Sequence, residues 1–409
     1  MLGLDAIRVN VVIANIDLAS LLSPTSVQTF LHSCWTQSPF VARSASQDRF
    51  DGLLDLAEFE FLLSAVAAPG WLSFVSGTVK PPSREQLTRD GTLDVAAIHK
   101  AVADRQSLLL TKVHRLHPAT GRLCRQIAAD FREAGVVLRK PVRANAYFTP
   151  PHAQGFEPHY DDHEVLVLQL HGEKHWRIFG EAVKYPRRPM LDALDADFPK
   201  ANAQSLTLHP GDVLYVPRGF VHEADAKDTP SLHLTLSIQA ATWSDVFGRL
   251  VELDDRLGEP LPQGFCAGGV PQAGDKAAIA RIAGSIAQGP GANRAMADIF
   301  NSTFVEGDLP PHGHLARMNS ANRVEPATRL AVAEGLYASL EWVGDTAVLR
   351  LPGAVLRADK QAASLFQAVC AAKPFRLCDL AKADVVALVD LAQELVTRGV
   401  LIPDPPTSR

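Results

Sequence analysis

Glu157–Phe179 reads E-P-H-Y-D-D-H-E-V-L-V-L-Q-L-H-G-E-K-H-W-R-I-F, and Leu208–His222 reads L-H-P-G-D-V-L-Y-V-P-R-G-F-V-H. In the first stretch His159 and Asp161 stand two residues apart, in front of the apolar run Val165–Leu170. On a strand, residues i and i+2 point to one face, so both side chains can reach one point. The second stretch ends in His222, after Gly211-Asp212 and Pro217-Arg218-Gly219, which break a strand and turn the chain. Two imidazoles and one carboxylate on one face form a 2-His-1-carboxylate triad with three adjacent metal positions open. That donor set suits Fe(II) and the activation of dioxygen.

The rest of the composition sets bounds. A chain of 409 residues holds two or three domains. Hydrophobic residues at 47% and charged residues at 21% describe an ordinary soluble globular protein. A net charge of −5 gives no footprint for a nucleic-acid surface. Five scattered cysteines (34, 124, 266, 370 and 378), without a C-x-x-C pair, read as reduced thiols in a cytoplasm. The apolar run Val9–Ile16 has no basic region before it and no small-residue cleavage site. No run approaches the roughly 20 apolar residues of a membrane span. The expectation is a cytoplasmic protein with no membrane partner.

Along the chain, Ser23-Pro24-Thr25 starts a helix running to about Cys34, and Asp55–Val66 has helical apolar spacing. Pro81-Pro82-Ser83 marks a loop. Leu93–Asp104 and His117–Ala134 read as amphipathic helices, the second packing on the outside of a barrel. Val136–Tyr147 reads as a strand that ends at Ala144-Asn145-Ala146-Tyr147-Phe148-Thr149-Pro150, with Asn145 and Tyr147 on one face. Ser231–Ile238, S-L-H-L-T-L-S-I, alternates cleanly and puts His233, Thr235 and Ser237 on one face.

Gly211, five residues, Pro217, one residue, Gly219, two residues and His222 fit the second motif of cupin barrels without a gap. With H-x-D in the first stretch, the chain resembles the JmjC-type Fe(II)- and 2-oxoglutarate-dependent oxygenases, and within them the ribosomal-protein hydroxylase (ribosomal oxygenase) branch. The resemblance covers most of the chain; it is specific around residues 145–179 and 208–222 and loose elsewhere. It implies a mainly β catalytic domain, a double-stranded β-helix of the cupin or jelly-roll kind with flanking helices. A helical segment and a C-terminal winged-helix α+β domain would follow. The expected boundaries are 1–240 for the catalytic domain with its leading helices, 241–320 for a helical dimerisation segment and 321–409 for a winged-helix-like domain. The phrase Cys34-Trp35…Ser38-Pro39-Phe40-Val41 looks like the segment that precedes the barrel in these enzymes, and core packing explains it equally well.

The same resemblance implies roles for residues. His159, Asp161 and His222 would hold Fe(II), and Asn145 and Tyr147 would line the pocket for cosubstrate and substrate. Lys174 follows the first histidine at the family's spacing and would receive the distal carboxylate of 2-oxoglutarate. Partial burial strengthens such a pair over its value in water. The hydroxyls of Thr235 and Ser237 are further candidates for the cosubstrate. His163 shares the face of the triad as a substitute or supporting group, whereas His171, His175 and His209 match no ligand spacing. The implied reaction consumes dioxygen and 2-oxoglutarate and hydroxylates a side chain of a protein or peptide, with ribosomal-protein histidine or arginine as first candidates. Lysine demethylation belongs to the wider JmjC group.

From Trp243 the pattern turns helical: Trp243–Leu257, Asp275–Gln288 and Ala292–Phe304, separated by Gly/Pro-rich linkers. It fits a segment that pairs two chains, or a cap on one barrel. Residues 321–403 alternate short strands (Thr346–Leu351) with helices (Lys360–Ala371 and Asp384–Arg398). Acidic and basic residues are balanced there, which argues against DNA binding. Three alternatives stay open: a peptide-tailoring oxygenase, a non-oxygenase metal cupin and a ligand-sensing regulator.

Overall fold

A computed structural model describes residues 16–65, 71–75, 87–187, 203–261, 273–302 and 314–403, with Phe198, Phe265 and Val270. Within those ranges residues 90–91, 290, 334–335, 337, 352–353, 361 and 381–384 are not described. The expectations for residues 9–15, Pro81–Ser83 and Phe304 lie outside the described residues.

The chain opens with helices α1 (Leu18–Leu22) and α2 (Val27–Ser33), strand β1 (Phe40–Ala42) and helix α3 (Leu56–Ala65). Strand β2 (Leu72–Val75), the short pair β3 (Thr88–Arg89) and β4 (Thr92–Leu93), α4 (Val95–Ala103) and β5 (Ser107–Leu110) follow. Next come α5 (Val113–Leu116) and α6 (Pro118–Glu133). Asp94 caps α4 by accepting two backbone N–H groups, and α6 places proline in its first turn, where no N–H is required.

The barrel strands are β6 (Arg143–Thr149), β7 (Glu164–His171), β8 (Lys174–Glu181), β9 (Gln204–Leu208), β10 (Val213–Val216), β11 (Phe220–Asp225) and β12 (Ser231–Ile238). The large sheet runs β1-β10-β7-β12-β6-β5-β2, and the small one β11-β8-β9. From β7 to β12 the chain crosses from the large sheet to the small one for β8 and β9, back for β10, over again for β11 and back for β12, the winding of a double-stranded β-helix. Gly172 turns β7 into β8 with φ +61°, and a Cβ there would stand 1.9 Å from the Pro230 carbonyl oxygen.

β7 is buried on both faces. Leu166 and Leu168 join α1–α6 in the large core, while Val165 and Val167 point between the sheets with Trp176, Ile178, Leu214 and Val216. β12 alternates likewise: Leu232, Leu234, Leu236 and Ile238 enter the helix-side core, which aims His233 and Thr235 between the sheets. Each such leucine contributes about 1.5–3 kcal/mol of apolar burial.

The strand expected over Val136–Tyr147 begins only at Arg143. Before it, Leu138 makes one isolated bridge to Ala240, and Pro141 has no N–H to give a ladder. Trp35 lies in the core, stacked on Tyr215 at 5.8 Å and tilted on Phe131 at 4.8 Å, and Phe40–Ala42 is the edge strand beside β10.

Three helices follow the barrel: α7 (Trp243–Glu252), α8 (Ala273–Gln288) and α9 (Gly291–Ser302). α7 stops before Leu257, because Asp254 accepts the Arg256 N–H and starts a separate 3-10 turn. Only Leu250, Ile286 and Ala295 form a buried cluster between these helices among the described residues. The last part contains α10 (His314–Met318), β13 (Arg329–Val332), the meander β14 (Ser339–Val343), β15 (Thr346–Leu351) and β16 (Ala354–Ala358), and α11 (Ala363–Ala371). It ends with β17 (Phe375–Arg376), α12 (Leu377–Leu380), α13 (Val385–Thr397) and β18 (Leu401–Pro403) around a separate apolar core. No helix among the described residues is long and apolar enough to cross a membrane.

Candidate metal centre and adjoining cavity

His159 and Asp161 lie in the extended segment leading into β7, and His222 lies in β11. The two segments touch through a single antiparallel bridge: the His222 N–H donates to the His159 carbonyl at 2.8 Å, and the His159 N–H to the His222 carbonyl at 3.1 Å. This brings one ligand atom from each of His159, Asp161 and His222 within 4.8 Å of one another. The imidazole centroids are 4.5 Å apart, and His222 Nε2 is 3.8 Å from Asp161 Oδ2.

The backbone also fixes which nitrogen each ring offers. His159 Nδ1 is 2.8 Å from the Glu157 carbonyl oxygen, and His222 Nδ1 is 2.9 Å from the Phe220 carbonyl oxygen. A carbonyl only accepts, so both Nδ1 atoms carry the proton and both Nε2 lone pairs are available to a metal. Burial, then the nearby His159, lowers the His222 pKa to about 4, so it stays neutral as a ligand must.

The triad borders a cavity of about 690 Å³ between the sheets. Asn145, Tyr147 and Thr149 reach it from β6, Lys174 and Trp176 from β8, and His233 and Thr235 from β12. Lys174 is 1% exposed, and its ammonium donates to Thr149 Oγ1 at 2.5 Å. No carboxylate lies within 4.0 Å of it among the described residues, and burial lowers its pKa to about 7 against a weak pull from Asp225. Asn145 Oδ1 accepts the Lys112 N–H at 3.0 Å, which leaves its NH2 to donate to the Tyr147 hydroxyl. Burial, then Asp161, keeps that phenol protonated. The Tyr147 ring stacks on His233 at 4.9 Å, and burial beside Lys174 keeps His233 neutral.

Ser237 is not among the residues lining this cavity: it lies one pleat beyond Thr235, paired with Arg143 and Val165. His163 turns its Nδ1 to Asp162 Oδ1 at 3.0 Å and stays outside the ligand set. His175 bonds Thr207, His209 pairs with Glu173, and His171 is exposed. Sequence reasoning passed over Thr149, Glu164 and Arg218. The one available signal was a charged residue, Glu164, heading an apolar strand buried on both faces.

Fold and site together define a double-stranded β-helix with a 2-His-1-carboxylate triad at its cavity. A family model described as the JmjC domain matches residues 124–246, and this part of the chain is a JmjC domain. A bifunctional lysine-specific demethylase and histidyl-hydroxylase NO66 from Drosophila persimilis is 30% identical over 239 residues, 58% of this chain and 34% of that protein. Ribosomal oxygenase 1 from Gallus gallus is 29% identical over 259 residues, 56% of this chain and 38% of that protein. The chain thus spans about a third of the length of the curated relatives it matches. The solved Escherichia coli ribosomal oxygenase YcfD matches with a TM-score of 0.55 at 16% identity, over 93% of this chain and 98% of that one, a likeness of fold.

Proposed function

We propose that the protein is an Fe(II)- and 2-oxoglutarate-dependent oxygenase that hydroxylates a side chain of a protein or peptide. The observation that carries this reading is a metal triad bordering the cavity that also holds the buried, carboxylate-free Lys174. Two imidazole nitrogens and a carboxylate fit Fe(II). A buried ammonium with one hydroxyl partner fits a dicarboxylate. YcfD has been solved with cobalt and 2-oxoglutarate, which supports the same pair of groups here.

Fe(II), 2-oxoglutarate and dioxygen, when bound, supply the oxidative decarboxylation and the hydroxylation of a C–H bond. The chain's own part is positioning. His159, Asp161 and His222 hold the metal through preset Nε2 atoms and one carboxylate. Lys174 and Thr149 take the distal carboxylate, whose charge draws Lys174 back to its ammonium form. Tyr147, ordered by Asn145, offers a protonated hydroxyl, and Thr235 faces the same space. Trp176 and Val165 keep water from the inner wall.

Histidine or arginine of a ribosomal protein is the first candidate substrate; the relatives' names support a ribosomal protein and, of the two residues, histidine. Residues 1–240, 241–320 and 321–409 are proposed as catalytic, helical and winged-helix-like units, supported by their separate apolar clusters. Trp243, Phe247 and Val251, four residues apart on α7 and 78%, 53% and 54% exposed, support pairing of two chains through the helical unit. A cytoplasmic location fits a ribosomal substrate.

The test is succinate release from 2-oxoglutarate by anaerobically iron-loaded protein once air is admitted, with His159→Ala and Asp161→Ala alongside. Iron-dependent release lost in both variants is expected. No release, and no 2-oxoglutarate binding by iron-loaded wild type, would sink the oxygenase reading.

A further inference from the structure

Asp161 is not the only carboxylate at this end of β7. Glu164, three residues on, is 1% exposed and outside the ligand set. A carboxylate buried this deeply is costly unless its oxygens are matched. Its Oε2 accepts the Tyr215 hydroxyl at 2.5 Å and the Arg218 backbone N–H at 3.3 Å. Its Oε1 lies 3.3 Å from Arg218 Nε, an ion contact and not an aligned hydrogen bond.

Each partner belongs to something relevant. Arg218 stands four residues before His222, and the residue after it, Gly219, donates its N–H to the Asp161 carbonyl at 3.0 Å. Gly219 in turn accepts the Ala182 N–H at 2.9 Å, in a left-handed conformation (φ +83°) that a Cβ would bring to 1.9 Å from the Val183 carbonyl oxygen. Tyr215 is held by Phe30 and Trp35, and its hydroxyl accepts the Thr36 N–H at 2.9 Å. Glu164 therefore joins the segment bearing Asp161 to the turn that delivers His222, and ties both to a ring packed against the leading helices.

We propose that Glu164 is a positioning residue for the metal centre: through Arg218 and Gly219 it sets where Asp161 stands relative to His222. The inference rests on His159, Asp161 and His222 being the metal ligands, and is independent of which cosubstrate or substrate the enzyme uses. Groups hydrogen-bonded directly to a ligand typically cost 10–100-fold in metal affinity when replaced, and Glu164, acting through Arg218 and Gly219, belongs at the lower end of that range.

The experiment uses the full chain with Co(II) as probe, read by equilibrium affinity and by its visible absorption bands. Glu164→Gln keeps the shape and removes the charge; Tyr215→Phe keeps the ring and removes the hydroxyl that donates to Glu164 and accepts the Thr36 N–H. Asp212→Asn is the control, since Asp212 is equally buried and bonds Arg43, Ser44 and His209 without touching the ligand segments. The expected result is Co(II) affinity weakened about tenfold or more and altered bands in Glu164→Gln, a few-fold weakening in Tyr215→Phe, and Asp212→Asn lowering Tm with wild-type affinity and bands. If folded Glu164→Gln binds Co(II) with wild-type affinity and bands, Glu164 is structural only and the inference is overturned. If Glu164→Gln does not fold, wild-type binding by Tyr215→Phe overturns it instead. A wild-type protein that binds no Co(II) sinks the metal-centre reading and this inference with it, whereas Co(II) binding without succinate release removes only the oxygenase reading.

Discussion

His159 and His222 are hydrogen-bonded to each other twice through their backbones, 63 positions apart in the chain, and their rings meet at 4.5 Å. The imidazole pair is therefore brought together by backbone pairing between two distant segments. Asp161 supplies the only negative charge of the set and is partly exposed, at 26% for its side chain. Asp161→Ala should lower Co(II) affinity by at least about 100-fold while the metal-free Tm changes by no more than a few degrees. Equilibrium dialysis and thermal melts check this; a folded variant with wild-type affinity would remove Asp161 from the ligands.

Lys174→Met should raise the KM for 2-oxoglutarate by about 10- to 100-fold, the loss expected of one buried charged hydrogen-bond partner. Its substrate-free fold should persist, because methionine fills the same buried volume without a charge to desolvate. Steady-state succinate assays measure it, and an unchanged KM would assign the distal carboxylate elsewhere.

The same lysine should leave a mark on stability. Its folded pKa of about 7 lies below the ordinary 10.5. Between those values the unfolded chain holds a proton that the native protein has released, so stability rises with pH. Below pH 7 the amine is charged in both states, and its desolvation is a constant cost. Lys174→Met should remove up to about 1.4 kcal/mol per pH unit from the slope in that window. Urea melts of wild type and variant at pH 7, 8 and 9 decide it; parallel slopes would contradict a lowered pKa.

Gly219→Ala places a Cβ against the Val183 carbonyl in a left-handed turn. A cost of about 1–3 kcal/mol or more is expected, together with weaker Co(II) binding, since this turn holds the Asp161 carbonyl. A variant with wild-type melting and affinity would show that the turn relaxes without disturbing the ligands.

If two chains pair through the helical unit, Phe247→Glu should convert a dimer to a monomer in analytical ultracentrifugation and leave Co(II) binding intact. A wild-type protein that sediments as a monomer at all concentrations would end that reading.

The local parts of this design were legible in the sequence. H-x-D and the Gly-Pro-Gly-His spacing are fixed offsets, and the period-2 patterns of β7 and β12 state which faces are inward. What long-range contact decides was not legible. Glu164 gains its meaning from Arg218 and Tyr215, more than 50 residues away, and in isolation it reads as one charge at a strand end. Ser237 shares the inward parity of Thr235 but sits past the cavity, because parity gives the face and says nothing of depth. Val136–Val142 has strand composition, yet Pro141 and the single bridge at Leu138 keep it a connection.

The two-sided burial of β7 bears on how the protein can change over generations. Its odd positions, Val165 and Val167, pack between the two sheets, with Val165 on the wall of the cavity, and its even positions, Leu166 and Leu168, seat the helical layer. No residue between Glu164 and Leu168 is left to drift neutrally. In a saturation mutagenesis screen this strand should appear as an unbroken band of intolerance, with activity lost first at one parity and abundance lost first at the other.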